Sequence, residues 1–124
     1  MTPHLLWLPY GFNLLILVPV VWAMLAGSGV TGVFEDKVSE SQGLRLLVGS
    51  LWLAIAVASV GGFFAPRFFL PVLIIQVIYK ACWLLIFILP LARAQGWEAI
   101  PQGITFVFIG IVLSYPFFIA KALA

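Results

Sequence analysis

Four uninterrupted apolar runs, each close to the length that crosses a lipid bilayer, decide what this chain can fold into. They cover about residues 5–26, 44–64, 68–89 and 102–120. A spanning helix needs about 20 apolar residues at a rise of ~1.5 Å each. At this length only helices satisfy their own backbone groups in lipid. The expected fold is therefore all-α, a four-transmembrane-helix bundle forming one integral-membrane domain over residues 1–124. A chain of 124 residues that is 65% hydrophobic and 8% charged has more apolar surface than a soluble domain of that size can hide.

The connections carry the breaks. Gly27, Ser28, Gly29 and Gly32 open the first, Ala65, Pro66 and Arg67 make the second very short, and Pro90 and Pro101 bound the third. The second and third helices are accordingly expected to be antiparallel neighbours. Ser39 and Gln42 have the spacing of a capping box just before the run that begins at Leu44. Residues 34–38 read as a short interfacial turn. No Lys or Arg precedes Lys37, so the first run is expected to be a retained helix and not a cleaved signal. Both termini share one side with Arg67 and Lys121, while Lys37, Arg45 and Arg93 lie on the other. That near balance leaves orientation undecided by the positive-inside rule.

Several function classes drop out. Six Lys/Arg and four Asp/Glu are scattered singly, which gives neither a nucleic-acid patch nor a polybasic lipid-binding cluster. Cys82 and His4 are the sole members of their types, so no intrachain disulfide, metal site or bis-histidine haem is expected, and no cofactor is implied. Glu35, Asp36 and Glu40 lack the spacing and glycine of a calcium loop. No nucleophile has a histidine base at hand, and no catalytic residue is identified. Trp7, Trp22 and Trp97 sit near run ends as interface anchors, with Trp52 and Trp83 deeper.

Ser50, Ala54, Ala58 and Gly62 recur every four residues along the second run, a small-residue stripe that lets another helix approach closely. This predicts that the second helix is the central packing element, the alternative being a homodimer seam. Gly110 with Ser114, and Ala23 with Gly27, repeat the spacing once.

Lys80 is the candidate functional residue. It lies mid-run, roughly 18 Å from one end and 14 Å from the other, where a cation costs at least ~2.5 kcal/mol. Gln76, Lys80 and Trp83 follow helical spacing with Tyr79 adjoining, all within a stripe of about 100°. Asn13 falls at the same depth as Gln76, so a contact between them is geometrically allowed. Pro19 and Pro116 are expected to free the carbonyls of Leu15 and Val112, which, with Tyr115, are acceptors for Lys80. All four acids lie outside the runs. Lys80 is then neutral, snorkels towards the acidic side, is held by amides and carbonyls, or takes its counter-ion from another molecule.

The run Gln76-Val77-Ile78-Tyr79-Lys80-Ala81-Cys82-Trp83-Leu84-Leu85 and the break from Gly61-Gly62 to Pro66 resemble small bacterial four-helix membrane proteins of the DoxX-like kind. That resemblance implies the bacterial inner membrane and an accessory role, without an activity. The length is also similar to that of small multidrug transporters, but their first helix carries a glutamate where this one has Asn13 and no acid. Two expectations follow. The first is a non-enzymatic accessory or scaffold subunit of a membrane complex whose Lys80 face meets a partner or a lipid-like ligand, with membrane lipids and a homo-oligomer or larger complex as the expected partners. The other is a small carrier or binding protein for an anionic or lipid-like ligand, held by Lys80, Gln76, Tyr79, Trp83, Asn13 and Tyr115.

Overall fold

The structure, a computed structural model, describes residues 3–123. The chain is an all-α four-helix bundle whose main helices are each long and apolar enough to cross a membrane. They are α1 (Trp7–Ala26), α2 (Gln42–Phe64), α3 (Leu70–Gln95) and α4 (Gln102–Leu123). A 3-10 turn, Pro3–Leu6, leads into α1. The side chain of His4 lies outside the described residues.

Helix ends follow local chemistry. Gly27, at φ 102°, closes α1 in the left-handed conformation that glycine adopts without strain. The cap of α2 is Ser41, whose hydroxyl accepts from the Leu44 N–H, and not the expected Ser39. Arg45, paired with Glu40 at 3.1 Å, donates to the Met24 carbonyl and so ties the start of α2 to the end of α1. A positive side chain at that carbonyl also suits the helix dipole.

The third helix departs from expectation at its end. It does not stop at Leu89 but runs through Pro90 to Gln95. Residues Leu84–Ile88 form a π segment in which the Leu89 N–H reaches back to the Leu84 carbonyl. Proline lacks the N–H that an α-turn requires and crowds the carbonyl four residues earlier; the wider turn relieves both.

The backbones approach most closely within two pairs, α1 with α2 and α3 with α4. In the first pair the buried face of α2 is Gly49, Trp52, Ile55, Ala56, Ser59 and Gly62. The expected small-residue stripe is thus corrected: Ser50 and Ala54 are exposed, Ala58 is half-buried, and only Gly62 lies in the seam. A strict four-residue repeat turns about 400° per step and winds ~40° further around the helix each time, so it cannot stay on one face. Gly110 and Ser114 also point outwards. The hydroxyls of Ser50 and Ser114 bond the carbonyls of Leu46 and Gly110.

Helices α2 and α3, though joined by a short turn, touch only sparsely. Between them runs an apolar groove floored by Ala54 and Ala58. Side chains from all four helices fill two core clusters, one around Leu17, Trp52, Ile55 and Phe108, the other around Tyr10, Leu73, Ile111 and Tyr115.

The first connection folds inwards. After a short helix, Gly29–Gly32, the chain turns through Glu35 and Asp36 at φ 54° and 60°. The hydroxyl of Thr31 donates to the Asp36 carboxylate at 3.0 Å. Phe34 then packs against Trp52 and Trp83, with ring centroids 6.2 and 6.0 Å away. Glu35 accepts the Gly103 N–H at 2.8 Å and satisfies an orphan donor at the start of α4.

Candidate functional site

Trp83 stands apart, and the other five of the six polar and aromatic candidates separate into two groups. The first is a hydrogen-bond network among α1, α2 and α4. Asn13 donates to Ser59 at 2.9 Å, Ser59 donates to the Ile55 carbonyl at 2.8 Å, and the single Tyr115 hydroxyl hydrogen is shared between Asn13 Oδ1 and the Pro9 carbonyl. Asn13, Ser59 and Tyr115 are each at most 1% exposed. Asn13 therefore does not meet Gln76, as its depth allowed, and Tyr115 does not accept from Lys80. Depth along a helix fixes height but not direction, and Ser59 stands nearer in the tight α1–α2 seam. Ser59 was missed although its depth offered a signal: it is about 8 Å from the end of α2, close to the level of Asn13.

This network is structural in its bonding, since each member is satisfied from within. Asn13→Leu is expected to cost about 1–2 kcal/mol, because interhelical hydrogen bonds in lipid are modest and Tyr115 and Ser59 keep their carbonyl partners. Unfolding of the purified protein in mixed micelles, followed by far-ultraviolet circular dichroism, reads the change.

The second group is Gln76, Tyr79 and Lys80 on α3. Lys80 is 2% exposed and Gln76 fully buried. The ammonium nitrogen of Lys80 donates to Gln76 Oε1 at 2.9 Å. A helical side chain leans towards the N-terminal end of its helix, which carries Lys80 back one turn to Gln76. Of the four states open to Lys80, the contact seen is with an amide, and the side chain does not snorkel towards the acidic side. Nζ also lies 5.0 Å from the Phe108 ring centroid and 5.3 Å from that of Tyr79, within cation–π range. The freed carbonyls of Leu15 and Val112 are not its partners, and no carboxylate pairs with it among the described residues.

These groups have more donors than acceptors. A lysine ammonium offers three N–H bonds and a glutamine amide two. Gln76 Oε1 takes one from Lys80, while Gln76 Nε2 is buried with no partner. The buried Tyr79 hydroxyl, beside Trp52, likewise makes no hydrogen bond of good geometry. Unsatisfied buried polar groups are rare and costly, so a cluster of them calls for a physical reason.

Lys80 and Tyr79 line a cavity of about 430 Å³ between the two helix pairs. Its walls are apolar: Ile16, Leu17 and Val20 from α1, Trp52 from α2, and Ile104, Val107 and Phe108 from α4. Gly32, Val33 and Glu35 of the first connection lie at one end, with Gly103. Glu35 is the member that sequence gave least sign of, since nothing in the pattern around residue 35 shows that the loop folds back over the bundle.

Trp83 belongs to a neighbouring space. It is half-buried, packs on Phe87 and Phe108 at 5.5 and 5.3 Å, and lines an apolar hollow between α2 and α3 with Cys82 and Phe87. Trp52, Tyr79 and Phe108 line both this hollow and the Lys80 cavity, as the wall between them.

Comparison of the chain with protein-family models, curated proteins and solved structures found no match.

Proposed function

We propose that this multi-pass membrane protein binds a small lipid-like amphiphile, holding its acceptor-bearing head in the cavity beside Lys80. The observation that carries the reading is that Lys80, whose one hydrogen bond goes to Gln76 Oε1, and Tyr79, whose buried hydroxyl makes none, both line this apolar cavity; the unpaired Gln76 Nε2 is not among the lining groups. A carboxylate, phosphate or ring carbonyl supplies acceptors and no donors, and so complements the site. The apolar walls suit the rest of such a molecule, and the cavity volume falls within the range of small-molecule sites.

Burial also bears on where a partner acts. With Lys80 2% exposed inside the bundle, a carboxylate from a neighbouring subunit does not meet it on an outer face. An accessory subunit of a larger complex then contributes by holding or presenting the ligand. The bacterial inner membrane is the compartment we assign, on the resemblance noted above.

The test is native mass spectrometry of the protein extracted with its own lipids, comparing wild type with Lys80→Met and Gln76→Leu. A retained species of constant mass, present in wild type and lost in both variants, is the expected result. Spectra without a bound species in any of the three would overturn the proposal.

A further inference from the structure

We propose that the ligand is a compact two-ring aromatic carboxylate, its carboxylate at Lys80 and its rings among Trp52, Tyr79 and Phe108. The inference rests on the reading of the Lys80 cavity as a binding site and adds the class of molecule that the site selects.

Lipid decides where selectivity comes from. An alkyl chain is as well accommodated among lipid tails as against apolar side chains, so moving it from the bilayer into the protein gains little. Chain length therefore does not single out a ligand here. What the bilayer core lacks is a buried basic group and a set of oriented aromatic rings, and this cavity is lined by both.

The rings stand at fixed angles. Phe108 is close to perpendicular to Trp52, at 79° with centroids 6.4 Å apart, and to Tyr79, at 88° and 6.3 Å. Rings set at right angles present a face and an edge to the space they share, which is how a flat aromatic ligand is held and an alkyl chain is not. Trp52 and Phe108 are themselves buried, so packing keeps these angles.

The cavity is also short. Its lining runs from Gly103 to Phe108 on α4 and from Ile16 to Val20 on α1, about 8 and 6 Å along the helices. A membrane acyl chain crosses about half of a ~30 Å hydrocarbon core, roughly twice that depth. The volume of about 430 Å³ is nearly three times that of an apolar cavity of ~150 Å³ that takes one benzene. Two fused rings and a small substituent are of the matching size.

The carboxylate supplies what the chain does not. Lys80 is the one basic residue lining the cavity, and no carboxylate pairs with it among the described residues. Glu35, the acid that also lines it, is engaged with the Gly103 N–H at the other end, five residues along α4 from the Phe108 ring beside Lys80 Nζ. A ligand carboxylate accepts from Nζ and brings one negative charge to one buried amine. Tyr79, with its unpartnered hydroxyl, adds a second donor to the same wall.

The experiment titrates the purified wild-type protein in micelles with 2-naphthoate, undecanoate and 2-naphthamide, reading adducts by native mass spectrometry. The two acids have equal numbers of carbons and differ in shape; the amide keeps the rings and removes the charge. Wild type is expected to take one naphthoate per chain, about 10-fold or more tighter than undecanoate through the ring contacts. It should also bind naphthoate about 10-fold or more tighter than the amide, through the charged hydrogen bond, and Lys80→Met should lose that margin. Val107→Trp fills the cavity from α4 without touching Lys80 or the three rings, and should abolish naphthoate binding with an unaltered helical circular dichroism spectrum. Val20→Trp, from the α1 wall, replaces it if that spectrum shows a loss of fold.

Undecanoate binding as tightly as naphthoate would overturn the ring assignment, and an amide binding as tightly would overturn the carboxylate. A filled and folded variant that takes naphthoate as wild type does overturns the location. A wild type that takes no naphthoate overturns the inference as a whole, and the binding site is then judged separately by the species retained on extraction.

Discussion

Gly62→Val is expected to loosen the α1–α2 pair by about 2–4 kcal/mol, combining overpacking of a tight seam with the loss of one hydrogen bond. A Cβ at position 62 would stand 2.6–2.7 Å from ring carbons of Tyr10. The ring has nowhere to go: Tyr10 is fully buried, and its hydroxyl donates to the Pro66 carbonyl at 2.7 Å. Moving it breaks the link between α1 and the turn after α2, so the two costs arrive together. Chemical unfolding in mixed micelles measures the loss. Adding Tyr10→Ala to Gly62→Val should recover part of the seam, because the clash disappears with the ring. A loss below ~0.5 kcal/mol for Gly62→Val, the range of ordinary surface substitutions, would show that α1 does not press on α2 at that point.

The double variant Lys80→Met/Gln76→Leu is expected to move stability the other way, by about 2–4 kcal/mol in favour of the fold. Wild type buries a lysine amine with no carboxylate partner, and an amide nitrogen with no acceptor, among the described residues. Replacing both by apolar side chains of similar volume removes the desolvation cost and forfeits only the Lys80–Gln76 bond, worth about 1–3 kcal/mol. Lys80→Met alone should gain less, since it leaves both polar atoms of Gln76 without partners. The same double variant is expected to carry no retained species. Opposite signs for stability and ligand retention are the mark of a site kept for binding. A double variant less stable than wild type would instead make the Lys80–Gln76 pair a support of the fold.

Much of the architecture was legible in the sequence because lipid imposes one rule, that backbone groups be satisfied within each span. Apolar run length located all four helices, and the boundaries at Ala26, Phe64 and Gln102 agree with those expected. Lys80 and Gln76, placed on one face by their four-residue spacing, do bond to each other. What failed depended on direction around a helix or on contacts distant in sequence. The repeat from Ser50 to Gly62 looked like one face, yet only its last member reaches the seam. Asn13 matched Gln76 in depth and turned to Ser59. Pro90 read as a stop because a proline in an α-turn is one; the π segment before it is a backbone solution that composition does not reveal. Phe34 and Glu35 read as part of a short interfacial turn, since nothing local shows that Trp52, Trp83 and Gly103 lie beneath it.

The pairing of α1 with α2 and of α3 with α4 has a consequence for how the protein is made. Each hairpin carries its own closest backbone seam and can enter the bilayer as a unit, with all of its backbone satisfied before the halves meet. The polar links between the halves are then formed at docking: Tyr115 to Asn13 and Pro9, and Glu35 to Gly103. Residues from both halves wall the Lys80 cavity, so it belongs to neither hairpin alone and comes into being only at that last step of biogenesis. Until then Lys80 and Gln76 lie on a single hairpin that lacks the α1 and α2 walls of the cavity.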